Sequence, residues 1–230
     1  NELKKLRIMN IAKLVFNPIM ENTYIVWDDT KECIIIDAGN FSAREDAQLT
    51  DFISERGLKP VMAVNTHGHF DHAMGVGYLK ETYGVKFACS SKDQFLVDSA
   101  QQSGAMFGVK CAPVPAIDID LDKMEEIAFG ATKLRVIKTP GHTPGHVSLY
   151  NEEQKVLFTG DTLFRESIGR TDLPGGDYSW IMTSILEQLV PLGDDVEFYP
   201  GHGDKSTIGH ETLYNPFVTE VLNNEINYKG

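Results

Sequence analysis

The first 37 residues are built from short apolar or alternating runs parted by turn residues. Residues 10–16 (NIAKLVF), 22–28 (NTYIVWD) and 33–39 (CIIIDAG) are rich in Ile, Val and Tyr and read as strands. The period then changes. In SAREDAQLTDFISERG (42–57) apolar positions recur at helical spacing, Ser42 with Glu45 forms a capping pair, and Gly57 ends the helix. VMAVNT (61–66) reads as a buried strand, DHAMGVGYLKETYG (71–84) as a helix closing at Gly84, VKFACS (85–90) as a strand and residues 91–103 as a further helix. CAPVPAIDIDLDKM (111–124) reads as an irregular connection. A second run of strands follows in EIAFG, TKLRVIKT, HVSLYN and KVLFTGD. DYSWIMTSILEQLVPLG predicts a helix, DVEFYPGHG a strand and loop, and STIGHETLYNPFVTEVLNN a closing helix. Strands with helices, repeated once, predict an α+β four-layer αββα sandwich: two mixed β-sheets packed face to face with helices outside. The chain shows no internal repeat, low-complexity tract or Ser/Gly linker, so residues 1–230 are expected to form one domain.

Composition narrows the function classes. With 42% hydrophobic and 23% charged residues the chain has the make-up of an ordinary globular protein, long enough to bury a sizeable core. A formal net charge of -12 argues against nucleic acid as a partner, because an acidic surface repels a phosphate backbone. No stretch approaches the length of a membrane span, and the opening NELKKLRIMN lacks the apolar run of a secretion signal, so no membrane partner is expected. Cys33, Cys89 and Cys111 are odd in number, far apart and without a C-x-x-C pair. They read as small buried hydrophobes in a reducing compartment, which points to the cytoplasm.

The chemistry is concentrated in THGHFDH (66–72), which holds three of the seven histidines with an aspartate between them. Imidazoles and a carboxylate at this density pack poorly and bind metal well. Further histidines and aspartates each follow an apolar strand in a loop containing Gly or Pro: His142 after LRVIKTPG, Asp161 after KVLFTG, His202 after EFYPG. In layered proteins strand ends converge on one rim. Four strand ends thus offer His67, His69, Asp71, His72, His142, Asp161 and His202 to one place. Seven nitrogen and oxygen donors suit two divalent ions, zinc first, with iron or manganese also fitting this donor set. Two such ions about 3.5–4 Å apart acidify a shared water and polarise a carbonyl.

These residues, with TPGHTPGH, FTGDTLF and YPGHG, resemble the metallo-β-lactamase superfamily from the aspartate of IIIDAG to the last helix. Within it, GDTLFRESIGRTDLPGGD and GHGDKSTIGHETLYNPF look like the glyoxalase II-like (hydroxyacylglutathione hydrolase-type) enzymes, particularly the short bacterial members. The resemblance implies the αββα fold. It also implies a first metal site of His67, His69 and His142, a second of Asp71, His72 and His202, and Asp161 as the bridge. The seven donors alone do not sort themselves into these groups. Asp37 matches an early family aspartate and reads as bracing the site or capping a turn. His146 stands four residues after His142 and reads either as a donor orienting a ligand or as a structural histidine.

The resemblance implies a metal-dependent hydrolase that uses activated water on a thioester, an anionic small molecule of the hydroxyacylglutathione type. Asp71 is the catalytic candidate, orienting the water and taking its proton. Longer family members grip glutathione with an added C-terminal helical region. That region has no expected counterpart in the 28 residues after His202, which leaves Arg165, Arg170 and Lys205 as candidates to meet a substrate carboxylate. Each also has acidic neighbours (Glu166, Asp172, Asp204) with which it could pair internally. Met106 and Phe107 are expected in the pocket wall or the core, Phe70 in packing and His210 at the surface or a helix cap. The rival readings are a mononuclear-iron persulfide dioxygenase, in which a cysteine typically stands at the position of His146, and a lactone or β-lactam hydrolase. A metal-stabilised binding scaffold is disfavoured, because a structural zinc site needs only four ligands.

Overall fold

The computed structural model describes residues 8–228. Strands β1 (Asn10–Phe16), β2 (Glu21–Trp27) and β3 (Glu32–Ile36) form an antiparallel meander. Helix α1 (Ala43–Glu55) starts at Ser42, whose hydroxyl accepts the Glu45 N–H at 3.3 Å. Strand β4 (Lys59–Val64) then joins β3 in parallel. Helices α2 (Phe70–Ala73) and α3 (Val76–Tyr83) lead to β5 (Lys86–Cys89), parallel to β4. After α4 (Gln94–Asp98) and α5 (Ala100–Met106), the two-residue strand β6 (Ile119–Asp120) completes a six-stranded sheet in the order β1-β2-β3-β4-β5-β6.

The second sheet begins with an antiparallel run, β7 (Glu126–Phe129), β8 (Thr132–Lys138), β9 (Val147–Asn151) and β10 (Val156–Gly160). A small hairpin, β11 (Leu163–Phe164) with β12 (Ser167–Ile168), and helix α6 (Tyr178–Thr183) intervene. Strand β13 (Glu197–Pro200) then pairs parallel to β10, and β14 (Ser206–Thr207) closes the order β14-β13-β10-β9-β8-β7. Helices α7 (Ile208–Tyr214) and α8 (Pro216–Tyr228) follow.

The period of two along each strand produces the layers. Ile34 and Ile36 of β3 point into a core between the sheets, where they share a cluster with Val136, Leu149 and Phe158 of the second sheet. Their neighbours Cys33 and Ile35 point the other way and pack with Leu49 and Ile53 of α1. In the second sheet Ile137, Tyr150 and Leu157 face outward onto Ile181, Ile185 and Val218. Both faces of both sheets are therefore covered, and the four-layer αββα arrangement expected from the sequence is present. The three cysteines are buried and free, with Cys33 in β3 and Cys89 in β5. Among the described residues no helix is long and apolar enough to cross a membrane.

The expected helix over 177–193 runs on from α6 as a π-helical turn (Ser184–Leu189) and a 3-10 turn (Val190–Leu192), and three others are broken, each for a local reason. The helix over 71–84 is split into α2 and α3, where the Gly75 N–H turns aside to donate to the Ala38 carbonyl at 2.8 Å. The helix over 91–103 is split at Ser99, whose hydroxyl donates to the Phe95 carbonyl at 2.7 Å and competes with the ladder. The closing helix is interrupted at Asn215, extended at φ -79 and ψ 114 because Pro216 excludes the helical region for the residue before it. The connection over 111–124 is largely irregular as expected, apart from β6 and a 3-10 turn at Leu121–Lys123.

One carboxylate ties the two sheets at the end far from the chemistry. Asp28, after β2, is 2% exposed and accepts from Thr30 N at 2.9 Å, and from Ala131 N and Thr132 Oγ1 at 2.8 Å each, on the β7–β8 turn. Burial opposes its charge, but the bonds from Thr30, Thr132 and Ala131 outweigh it and hold the carboxyl below its ordinary range. Asp28→Ala leaves those donors unpaired and is expected to cost about 1–3 kcal/mol in urea unfolding at pH 7. Because the folded-state pKa is depressed, this stability is present above the unfolded value of about 3.9 and lost as pH falls through the folded one. The gap between wild type and variant should therefore narrow in acid.

Candidate metal centre

Four strand ends from the two sheets supply the polar cluster. His67 and His69 lie in the loop after β4, and Asp71 and His72 on α2. His142 follows β8, Asp161 follows β10 and His202 follows β13. Glycines let these ends meet. A Cβ at Gly160, whose φ is +49, would lie 2.5 Å from Thr66 Oγ1, and one at Gly201 would lie 2.2 Å from Asp161 Oδ1. Any other residue in the Gly-Asp or Pro-Gly-His loops would push the strand ends apart.

The structure brings all seven sequence-predicted donors together. Asp71 Oδ2 is 3.3 Å from His72 Nε2 and 3.2 Å from His202 Nε2, and the two nitrogens are 3.3 Å apart. Asp161 Oδ2 lies 3.3 Å from His72 Nε2 and 3.4 Å from His202 Nε2. Four donors on a tetrahedron with bonds of about 2.0–2.1 Å are separated by about 3.3 Å, so these atoms already stand at coordination spacing. The same Asp161 oxygen is 3.5 Å from His142 Nε2 and 4.0 Å from His67 Nε2, and His69 Nδ1 is 2.9 Å from His142 Nε2. His67, His69 and His142 form one group able to hold a metal ion, and Asp71, His72 and His202 another.

Hydrogen bonds behind the cluster fix which ring nitrogens are free. Asp37, at φ 55, accepts from Thr66 N and Thr66 Oγ1 at 2.7 Å each. Thr66 Oγ1 has spent its proton on Asp37, so at 2.9 Å it accepts from His67 Nδ1. Burial, helped by charge on His72, lowers the His67 pKa well below its ordinary value. The neutral ring therefore presents a bare lone pair at Nε2, which is buried with no hydrogen-bond partner. A metal ligand needs exactly such an atom, and the fit is chemical as well as geometric. The Arg170 carbonyl accepts from His142 Nδ1 at 2.7 Å, again leaving Nε2 free. Asp37 Oδ2 also lies 2.9 Å from His72 Nδ1.

The two halves of the cluster differ electrostatically. Burial and the neighbouring His142 push His69 down to about 3. At His72 burial is outweighed by Asp161, Asp71 and Asp37, and its pKa rises well above the ordinary value. Burial likewise opposes charge on His202, but Asp161 and Asp71 hold it up to about 9. Asp71 and Asp161 are held well below the usual carboxylate range, each against burial, with His72 the largest favourable neighbour.

Of the remaining candidates, His146 is buried beside Asp161 and its Nε2 accepts the Asp161 N–H at 3.0 Å, while Nδ1 reaches Thr139 Oγ1 at 2.9 Å. It positions the backbone of Asp161. Arg170 is held by Asp172 through two bonds of 2.7 and 2.8 Å. Lys205 is engaged by Glu197 at 3.0 Å, not by Asp204. Arg165 is exposed and lies outside the cavity wall. Glu166 pairs with His210 at 2.8 Å. Phe70, Met106 and Phe107 all line the cavity.

Sequence reasoning missed Asp93. This buried carboxylate accepts from Gly68 N at 2.9 Å, Thr143 Oγ1 at 2.7 Å and Gly145 N at 2.6 Å, clamping the first histidine loop to the Pro-Gly-His loop. In the sequence it looks like a polar residue at the start of a helix. It also missed Glu21, fully buried beside His72, with a carboxyl that burial pushes well above its ordinary range. Glu21 stands at the start of β2 before Asn22 and Thr23, where the sequence looks like an ordinary turn. A cavity of about 710 Å³ opens over the cluster, bordered by His69, Asp71, His142, Asp161 and His202.

The chain is similar to known proteins over nearly its whole length. Residues 16–202 match the family model of the metallo-beta-lactamase superfamily. A protein of Haemophilus influenzae named hydroxyacylglutathione hydrolase GloC is 37% identical over 217 residues, covering 91% of this chain and 98% of that protein. The crystal structure of BLEG-1 B3 metallo-beta-lactamase superposes with a TM-score of 0.84 at 32% identity, covering 91% of this chain and 100% of that one. TTHA1623, solved in a di-iron-bound form, does so with a TM-score of 0.80 at 33% identity, covering 90% and 99%. Together with the fold and the converging donors, these matches establish that the chain belongs to the metallo-β-lactamase superfamily.

Proposed function

We propose that this chain is a binuclear metal-dependent hydrolase that cleaves a thioester of the hydroxyacylglutathione type, with zinc as its ions. The observation that carries the binuclear reading is the position of Asp161 Oδ2, 3.3–4.0 Å from Nε2 of His67, His72, His142 and His202, between the two donor groups. His67, His69 and His142 would hold one ion and Asp71, His72 and His202 the other, with Asp161 available to both. Divalent ions so held acidify water and polarise a carbonyl oxygen. Iron is the first alternative, since the relative TTHA1623 was solved in a di-iron-bound form. The thioester is supported by the name of the Haemophilus influenzae relative and by the chemistry of departure. A thiolate leaves with little protonation, because its conjugate acid has a pKa near 8.5.

The chain's own groups do the remaining work. Asp71, whose Oδ2 lies 3.3 Å from His72 Nε2 and 3.2 Å from His202 Nε2, would orient the attacking water and accept its proton. Asp37 and the Arg170 carbonyl fix the rings of His72 and His142, and His146 fixes the backbone of Asp161. A second reading, β-lactam hydrolysis, is favoured by the likeness to BLEG-1. Elemental analysis, followed by hydrolysis of a lactoyl-glutathione thioester beside a lactone and a β-lactam, separates the readings. One iron per chain and oxygen consumption with a persulfide would instead indicate the dioxygenase.

Asp71→Asn is expected to lower kcat on the thioester by about 10²–10⁴ with KM changed only a few-fold, metal content being measured beside the rates. His202 supplies a separate check. Raised from 6.5 to about 9 in the metal-free protein, it is protonated at neutral pH. The stability it contributes is present below 6.5 and lost as pH rises through about 9. Zinc must displace that proton. Calorimetric titration of zinc into metal-depleted protein at pH 7.5, in buffers of differing ionisation enthalpy, should show net proton release, reduced in His202→Gln.

A further inference from the structure

The front of the cavity is unlike its back. Beyond the metal-binding cluster, one wall comes from the α4–α5 segment with Phe95, Met106 and Phe107, and another from Phe164 and Leu173, with Phe70 between them and the cluster. Three of these apolar side chains are open to solvent: Met106 is 80% exposed, Phe107 48% and Phe95 44%. The fold gives them no partner that buries them, and they gather at the mouth of one cavity. Among the described residues Arg170 is the only Lys or Arg on the wall, and it is already forked onto Asp172 at 2.7 and 2.8 Å. Ser99, also on the wall, donates its hydroxyl back to the Phe95 carbonyl. Beyond these, a tripeptide thiol bearing two carboxylates and an ammonium would find the hydroxyls of Ser103 and Ser167 but no uncommitted cation among the described residues, whereas a hydrocarbon would be covered on several sides.

From this lining we infer that the substrate's arm over the metal centre is apolar: an aliphatic or aromatic group of several carbons, carried by a thioester. This rests on the thioester reading for the reacting bond alone and puts an apolar arm where that reading has the glutathione portion. The hydrocarbon arises from the acyl side or from the thiol side of that bond, and both present the same surface to Met106 and Phe107.

Binding of reaction-product analogues tests the inference without turnover. Straight-chain carboxylates from acetate to decanoate are titrated into the zinc-loaded protein by calorimetry. Burying each methylene contributes about 0.8 kcal/mol, or about fourfold in Kd, so affinity should climb severalfold per carbon until the chain outgrows the cavity. In Met106→Gln/Phe107→Ser, whose side chains are exposed enough for the fold to survive, the dependence on length should flatten. A Kd that does not change from acetate to decanoate, or a slope unchanged in the double variant, overturns the inference. Two hydrolysis series then assign the side, one varying the acyl chain on a small thiol and one varying the thiol on acetyl. Acceleration with length in either supports the inference, and turnover flat in both overturns it. If no thioester is cleaved at full metal content, the proposed reaction fails, while the binding slope still decides the nature of the pocket.

Discussion

One carboxylate oxygen, Asp161 Oδ2, sets the terms for the whole molecule. Four imidazole nitrogens from three different strand ends lie within 4.0 Å of it. Lone pairs and carboxylate charge at such spacing repel unless a cation or proton sits among them. The fold therefore has to hold apart, and yet together, groups that would disperse if free. It does so with paired sheets whose inter-sheet core, from Tyr24 and Ile36 to Leu149 and Phe158, locks the strands that end at the cluster. The outer layers of helices serve the same purpose by covering the faces that the period-two pattern leaves apolar.

The polar framework behind the donors follows from that constraint. Asp37 cannot relax: it is left-handed at φ 55 and bound at once by Thr66 and His72. Through Thr66 it dictates the tautomer of His67, and directly it dictates the ring plane of His72. Asp93 performs an equivalent task between two loops rather than two rings. Burying a carboxylate is costly unless it is hydrogen-bonded, and each of these two accepts three bonds, Asp37 from Thr66 and His72 and Asp93 from Gly68, Thr143 and Gly145. The result is a back wall that would lose little entropy on taking up a cation, since the candidate ligands are already oriented.

How much of this was legible in the sequence depended on range. The strands were readable because alternation is a local property, and β1 coincides with NIAKLVF. The donors were readable because His67, His69, Asp71 and His72 fall within six residues and the other three follow apolar runs. What escaped was set by contacts distant in the chain. Asp93 meets Gly68 and Gly145, residues far away on either side, and nothing in SSKDQF announces it. The helix breaks escaped for a related reason. The break at Gly75 depends on Ala38, whereas that at Asn215 had a local sign in Pro216 which the apolar spacing of the closing segment masked. The partners of Lys205 and Glu166 were misassigned to sequence neighbours, because side chains on turning loops reach across to Glu197 and His210.

The contrast between back and front walls also separates reaction from selection. The back wall is polar, buried and over-determined, so a substitution there disturbs several hydrogen bonds at once and chemistry common to the superfamily persists. The most exposed part of the front wall, Phe95, Met106 and Phe107 of the α4–α5 segment, belongs to neither of the two main cores. Such residues can be exchanged at small cost in stability, since surface substitutions away from buried networks usually change it by less than about 0.5 kcal/mol. Substrate preference in this architecture can therefore drift without touching the metal centre. Relatives at 32–37% identity carry names as different as a metallo-beta-lactamase and a hydroxyacylglutathione hydrolase, a spread that fits a centre held by the sheets beneath an exchangeable rim.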